Sequence, residues 1–199
     1  MRKLLALCWF ILAGTLCGQA VLEPPFGLKW GNSPDQLLDW AGRHDLDIRI
    51  TMPGKQPDMR IFRVESPAGT LPSSQARAVE GRFIQGRLIE VTIHHGNPGA
   101  LADTVEKQFN ETRRELARKH GKLTANQQER RVEDQFSTRT LSFHREPVQG
   151  LFLLLAFTEV EDLLRKSRSA RFSIIYRNDN LRRRLEAAPA TGGGTTGSK

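Results

Sequence analysis

The stretch "AVEGRFIQGRLIEVTIHH", Ala78 to His95, decides the fold. Two runs rich in β-formers flank "QGR", and apolar side chains alternate with polar ones in both, the period of a strand with one buried face. Two closures are open. A two-residue turn at Gln85-Gly86 sets Phe83 opposite Leu88 and leaves Ile89, Val91 and Ile93 on the other face. A three-residue loop, Gln85 to Arg87, sets Phe83, Gly81 and Val79 opposite Ile89, Val91 and Ile93. The second gathers the apolar residues of both strands on one face, and a one-residue slip undoes it, so it is the expected register.

Working outward, "FGLKW" (Phe26 to Trp30) alternates as a first strand. "SPDQ" follows as a helix start, with Ser33 as N-cap, Pro34 at the first helical position and Gln36 closing a capping box. Gly42 is the expected stop of this short helix. Leu46 to Ile50 and Arg60 to Glu65 read as strands between proline-containing loops. Downstream, Leu101, Val105, Phe109, Thr112 and Leu116 recur at helical spacing, and Gly121 ends this long helix. Asn110-Glu111-Thr112 has the N-glycosylation pattern but lies inside that helix. Thr124 to Ser137 is polar with little periodicity, a long loop or a helical extension. Arg139 to Arg145 alternates as a strand. "LFLLLAF" (Leu151 to Phe157) is apolar throughout, as a strand covered on both faces is. Thr158 and Glu161 form a second capping box, predicting a short helix over "TEVEDLLRK". Arg171 to Arg177 reads as the last strand and "NDNLRRRLE" as a helical turn or two.

The expected fold is one α+β domain over 21–187. A mainly antiparallel sheet of about six or seven strands carries one long helix on one face, with a short N-terminal helix. No strong internal repeat is visible; each half reads at best as a helix followed by strands.

The ends are of another kind. Arg2 and Lys3 precede an apolar run, Leu4 to Leu16, and Gly18 and Ala20 supply the small residues of a cleavage site. Residues 1–20 are therefore read as a secretory signal peptide cut after Ala20. The run is shorter than the roughly 20 residues that span a bilayer, and no later segment approaches that length. A lipidated Cys17, against which Leu16 speaks, and a retained anchor are the alternatives. The mature chain is expected in the periplasm or outside the cell, with no transmembrane segment. Both cysteines, Cys8 and Cys17, lie in the signal, so the mature chain has no thiol for disulfides, catalysis or metal. Residues 188–199, rich in Gly and Thr, read as a flexible tail.

The 199 residues carry a net charge of +8, unevenly spread. Residues 21–100 hold nine basic and nine acidic side chains, whereas 101–199 hold nineteen and thirteen. The basic end includes Arg182, Arg183 and Arg184, with Arg165, Lys166, Arg168 and Arg171 near in sequence. These three arginines are the candidate binding residues, for anionic lipid or polysaccharide; a solvated charged surface is the plainer reading. Export argues against nucleic acid.

Catalytic and cofactor signatures are missing. "GNSPD" lacks the second glycine of a nucleophile elbow, so Ser33 is better explained as a cap. No HExxH occurs among the five histidines, and His94 and His95, adjacent on a strand, point to opposite faces. No phosphate-binding glycine loop is present. No catalytic residue, metal site or cofactor is therefore assigned.

"FGLKWGNSPDQLLDWAG", "FIQGRLIEV" and a long helix ending "RKHGKL" resemble a pattern in small exported bacterial α+β proteins of uncharacterised function. The resemblance covers about half the chain, rests on a cap, a turn and a helix stop, and departs at Thr124 to Ser137. It implies a small α+β fold in the bacterial envelope and no activity. The functional expectation is a non-enzymatic envelope domain binding a partner protein or an anionic envelope component. Alternatives are a basic adaptor using the arginine-rich end and a hydrolase whose residues converge only in the fold.

Overall fold

The computed structural model describes residues 22–188 apart from 55, 57 and 68; the expected signal peptide and nearly all of the expected tail lie outside them. The chain runs α1 (Asp35–Arg43), β1 (Asp47–Thr51), β2 (Met59–Glu65), β3 (Ala78–Ile84), β4 (Arg87–His95), α2 (Ala102–His120), β5 (Thr124–Glu133), β6 (Phe136–Val148), β7 (Leu151–Asp162), β8 (Ser167–Asn178) and α3 (Asp179–Ala187). The strands form one antiparallel sheet in the order β1-β2-β3-β4-β8-β7-β6-β5. The architecture is α+β, with eight strands rather than six or seven.

That order makes a repeat of the faint helix-then-strands likeness of the two halves. Each half is a helix followed by a four-stranded meander, and the halves meet through their last strands, β4 and β8, which pair antiparallel. The sheet order therefore reads the same outward from the β4–β8 seam in both directions.

The core lies on one face, here called inner, under α1 and α2. Phe62, Val64, Val79, Phe83, Val91, Leu153, Leu155, Phe157, Phe172 and Ile174 supply the sheet side; Leu37, Trp40, Val105, Phe109 and Leu116 supply the helices. Phe109 packs against Phe157, Phe172 and Phe143 with ring centroids 5.1, 5.9 and 6.1 Å apart. On the outer face α3 lays Leu181 and Leu185 over Met59, Ile84 and Ile89, while Phe152, Leu154, Ala156 and Ile175 are half-buried.

The hairpin at Gln85 uses both alternatives at once. Gln85 and Gly86, at φ 49° and 70°, make the two-residue turn, so Ile84 pairs Arg87 and Phe83 pairs Leu88. A bulge between Arg82 and Phe83 then resets the register, so Gly81 pairs Val91 and Val79 pairs Ile93, as the three-residue loop required. An extra residue in one strand is what lets consecutive Leu88 and Ile89 both be buried, one in each cluster.

Several local expectations are overturned. Phe26 to Trp30 is no strand: Phe26 and Gly27 have φ of 62° and 71°, a left-handed turn that no strand contains. The Ser33 capping box does not form; Ser33 Oγ instead donates to Asp35 Oδ2 at 2.9 Å. Gly42 lies within α1, and the left-handed stop is Asp45, where Leu46 N–H bonds the Ala41 carbonyl and Asp45 N–H that of Gly42, a Schellman closure. Leu101 precedes α2 and is exposed rather than on its buried face. Thr124 to Ser137 is neither loop nor helix but β5, its turn and the start of β6. "TEVEDLLRK" is not a helix: β7 runs on to Asp162, paired on both sides, and Leu163 and Leu164 stay exposed in the following turn. "LFLLLAF" alternates buried and half-buried residues, because α2 covers only the inner face.

Candidate ligand groove

Above the β4–β8 seam, between α2 and the segments around Phe26 and Ser73, the inner face is left open. The groove measures about 610 Å³. Ile93 and His95 of β4 and Phe172, Ile174 and Tyr176 of β8 line it from the sheet side. Gln108, Glu111, Thr112, Glu115 and Lys119 wall it from α2, with Ser73 to Gln75 and Pro25-Phe26 on the other sides. Phe26 is held by packing on Trp40 at 4.8 Å, and Trp30 fixes the same segment by donating its indole N–H to the Leu22 carbonyl at 2.7 Å.

Two polar side chains sit among the apolar ones. His95 stacks flat on Phe172, with centroids 4.3 Å apart and planes 4° from parallel. Burial pushes its imidazole down to about 4, against the pull of a hydrogen bond to the Gln75 backbone, with the neighbouring His94 adding to the fall. His95 is therefore neutral near pH 7, and its Nε2 has no hydrogen-bond partner. Tyr176, also buried, has its phenol pushed up to about 12 by desolvation and keeps its proton. A partly enclosed groove of this size, with an apolar floor at Ile93, Phe172 and Ile174 and polar walls from α2 and Ser73 to Gln75, has the dimensions of a small-molecule site.

The outer face holds a second cluster. His94 Nδ1 lies 3.0 Å from Ser173 Oγ, and His94 Nε2 lies 3.4 Å from Glu80 Oε1, which also takes an ion pair from Arg63 at 2.5 Å. His94 and Arg63 hold the Glu80 carboxyl down at about 2, against desolvation. Serine, histidine and carboxylate in a line is the constellation of a hydrolase nucleophile. Here Ser173 is in mid-strand, paired with His94 on one side and Ala156 on the other. Its backbone serves the ladder, so the N–H pair that stabilises an oxyanion is not offered. The cluster acts as a polar tie across β2, β3, β4 and β8.

A third group fastens α2. Arg139 pairs with Glu106 at 2.7 Å and Glu159 at 2.8 Å, and Arg168 reaches Glu159 at 3.3 Å and also Asp103. These span α2, β6, β7 and β8 at the end of the sheet beyond Phe157.

Arg182, Arg183 and Arg184 lie on α3, on the outer face and away from the groove. Arg182 pairs with Glu186 at 2.9 Å, and Arg183 donates to the Asp179 carbonyl and to Asn180 Oδ1. Arg165 to Arg171 lie at the other end of β8, and the strand from Arg171 to Asn178 puts roughly 23 Å between them and α3. One sequence cluster is thus two separate surfaces. The groove residues went unnoticed in the sequence because "VTIHH" and "RFSIIY" look like ordinary strands. The one available signal was a histidine on the same alternation as Val91 and Ile93.

Among the described residues no three histidine or acidic side chains are placed to hold a metal, and no helix is long and apolar enough to cross a membrane. Comparison of the chain with protein-family models, with curated proteins and with solved structures returned no match.

Proposed function

We propose that the protein is an exported binding module of the bacterial envelope whose ligand enters the groove between α2 and the β4–β8 seam. The groove itself carries the reading: about 610 Å³ with Ile93, Phe172 and Ile174 on the sheet side and a neutral His95 imidazole beside them. One His95 nitrogen is engaged at Gln75 and Nε2 is buried, so the fitting ligand has an apolar or aromatic body for the floor and a hydroxyl or amide that meets the polar α2 wall. The signal-like N-terminus supports the envelope location.

The test is titration with 2-naphthol, a neutral hydroxylated aromatic, followed by the NMR shifts of the His95 and Tyr176 rings. Saturable shifts are expected in the wild-type chain, and none in Thr112→Trp, which fills the groove from the α2 wall while circular dichroism stays native. Shifts that fail to saturate, or that survive Thr112→Trp unchanged, rule the groove out.

A further inference from the structure

We propose that the protein associates with a second copy of itself through the outer edge of β1, continuing the sheet across a two-fold axis. Among the described residues the sheet has two free edges, and they differ. The edge at β5, Thr124–Glu133, is polar: Glu129, Arg130, Arg131 and Glu133 crowd one end and Asn126, Gln127 and Gln128 the other. Charge of this kind is how proteins blunt an open edge. The β1 edge lacks such protection on the inner face. Ile48 and Ile50 are 40% and 55% exposed, and Met52 just beyond is 66% exposed. The two isoleucines stand opposite Val64 and Phe62, so they extend the buried apolar face to the rim and stop there uncovered. β1 has no proline, no lysine and no break in its register with β2.

The sequence of β1 complements itself. In an antiparallel pair centred on Ile48, Asp47 stands opposite Arg49 of the second copy on the outer face, and Arg49 opposite its Asp47. On the inner face Ile48 meets Ile48 and Ile50 meets Leu46. A pair centred on Arg49 would oppose two guanidiniums, and one centred on Ile50 would leave both charges unmatched. Opposite charges facing each other across strands stabilise a pair, and like charges oppose it. Five residues a side bury less than the roughly 1,200 Å² of a permanent interface, so the dimer forms and dissociates with concentration. The fold already contains a joint of this general kind, since its two halves meet strand edge to strand edge at β4 and β8.

Sedimentation of the chain from Val21 onward, over about 10 μM to 1 mM, the range of weak interfaces, should show a monomer passing to a dimer. Ile50→Lys, at an exposed site, is expected to raise the dissociation constant about tenfold or more. Val132→Lys on the β5 edge is expected to leave it unchanged. Because this chain has no cysteine, Ile48→Cys provides a register test, with oxidation giving a disulfide-linked dimer faster than for Val132→Cys. A wild type that stays monomeric at 1 mM overturns the proposal, and so does a dimer that Ile50→Lys does not weaken. A dimer weakened by Val132→Lys assigns the contact to β5 and equally overturns it. None of these outcomes bears on the groove, which lies over the seam three strands away.

Discussion

Ser33 shows how a local signal loses to its surroundings. The spacing of Ser33 and Gln36 is that of a capping box, yet Ser33 bonds Asp35 and caps no backbone group. Ser33→Ala is therefore expected to change stability by no more than about 0.5 kcal/mol in urea unfolding, as exposed substitutions do, not by the ~1 kcal/mol of a lost cap. Gly81 is the opposite case. A Cβ there would meet the Phe83 ring at 2.8 Å and Leu37 of α1 at 3.0 Å. Gly81→Ala should cost about 1–3 kcal/mol by overpacking, with the unfolding midpoint falling accordingly. His95 makes stability depend on pH. Its folded value of about 4 lies below the ordinary 6.5. Above 6.5 both states are neutral and nothing is lost; as pH falls towards 4 the unfolded chain takes up a proton that the folded one refuses. Stability should drop across that window by on the order of a few kcal/mol. His120, pushed down by burial and by Lys119, adds in the same direction. His95→Gln should flatten the slope between pH 6.5 and 4 in chemical denaturation. Glu80, at about 2 against 4.5, adds a further loss between those values, which Glu80→Gln should remove.

At the scale of elements, the strand periods were legible and the extents were not. Arg139 to Arg145 and Arg171 to Arg177 lie within β6 and β8, but these strands run 13 and 12 residues. Their extra residues, such as "SRSA" at the start of β8, have no apolar alternation because what they meet there is polar, Arg168 pairing with Asp103 of α2 and Glu159 of β7. β5 was illegible for the same reason: all ten residues are exposed, so pairing with β6 alone makes it a strand. α3 was legible as a helical turn, and its Asn178 accepts from Leu181 N–H as a cap. Its role was not legible, since Leu181 and Leu185 find Met59, Ile84 and Ile89 only once β2, β3 and β4 are side by side. Leu181→Ala with Leu185→Ala should detach α3, lowering helical circular dichroism and costing about 2–4 kcal/mol for two half-buried leucines. Native-state proteolysis near Arg183 should then accelerate while the rest of the chain stays protected.

For the whole molecule, the order of strands decides where anything can bind. Joining the halves at their last strands places the seam at the centre of the sheet, and the gap beside α2 falls above that seam as the groove. The same order sends β1 and β5 to the rims and Arg182 to Arg184 away from Arg165 to Arg171. Secretion of the native chain with N-terminal sequencing should give Val21 as the first residue; any other start corrects the export reading. By itself the sequence determined the antiparallel α+β class, the buried face of β2, β3 and β8 and the long helix, because burial stamps a period of two or 3.6 on side chains wherever one face is covered. Tertiary structure alone decided the repeat, the bulge at the Gln85 hairpin, the strandedness of β5 and the meeting of His95, Phe172 and Tyr176. Those depend on which strands become neighbours, and cross-strand neighbours leave no mark on spacing along the chain.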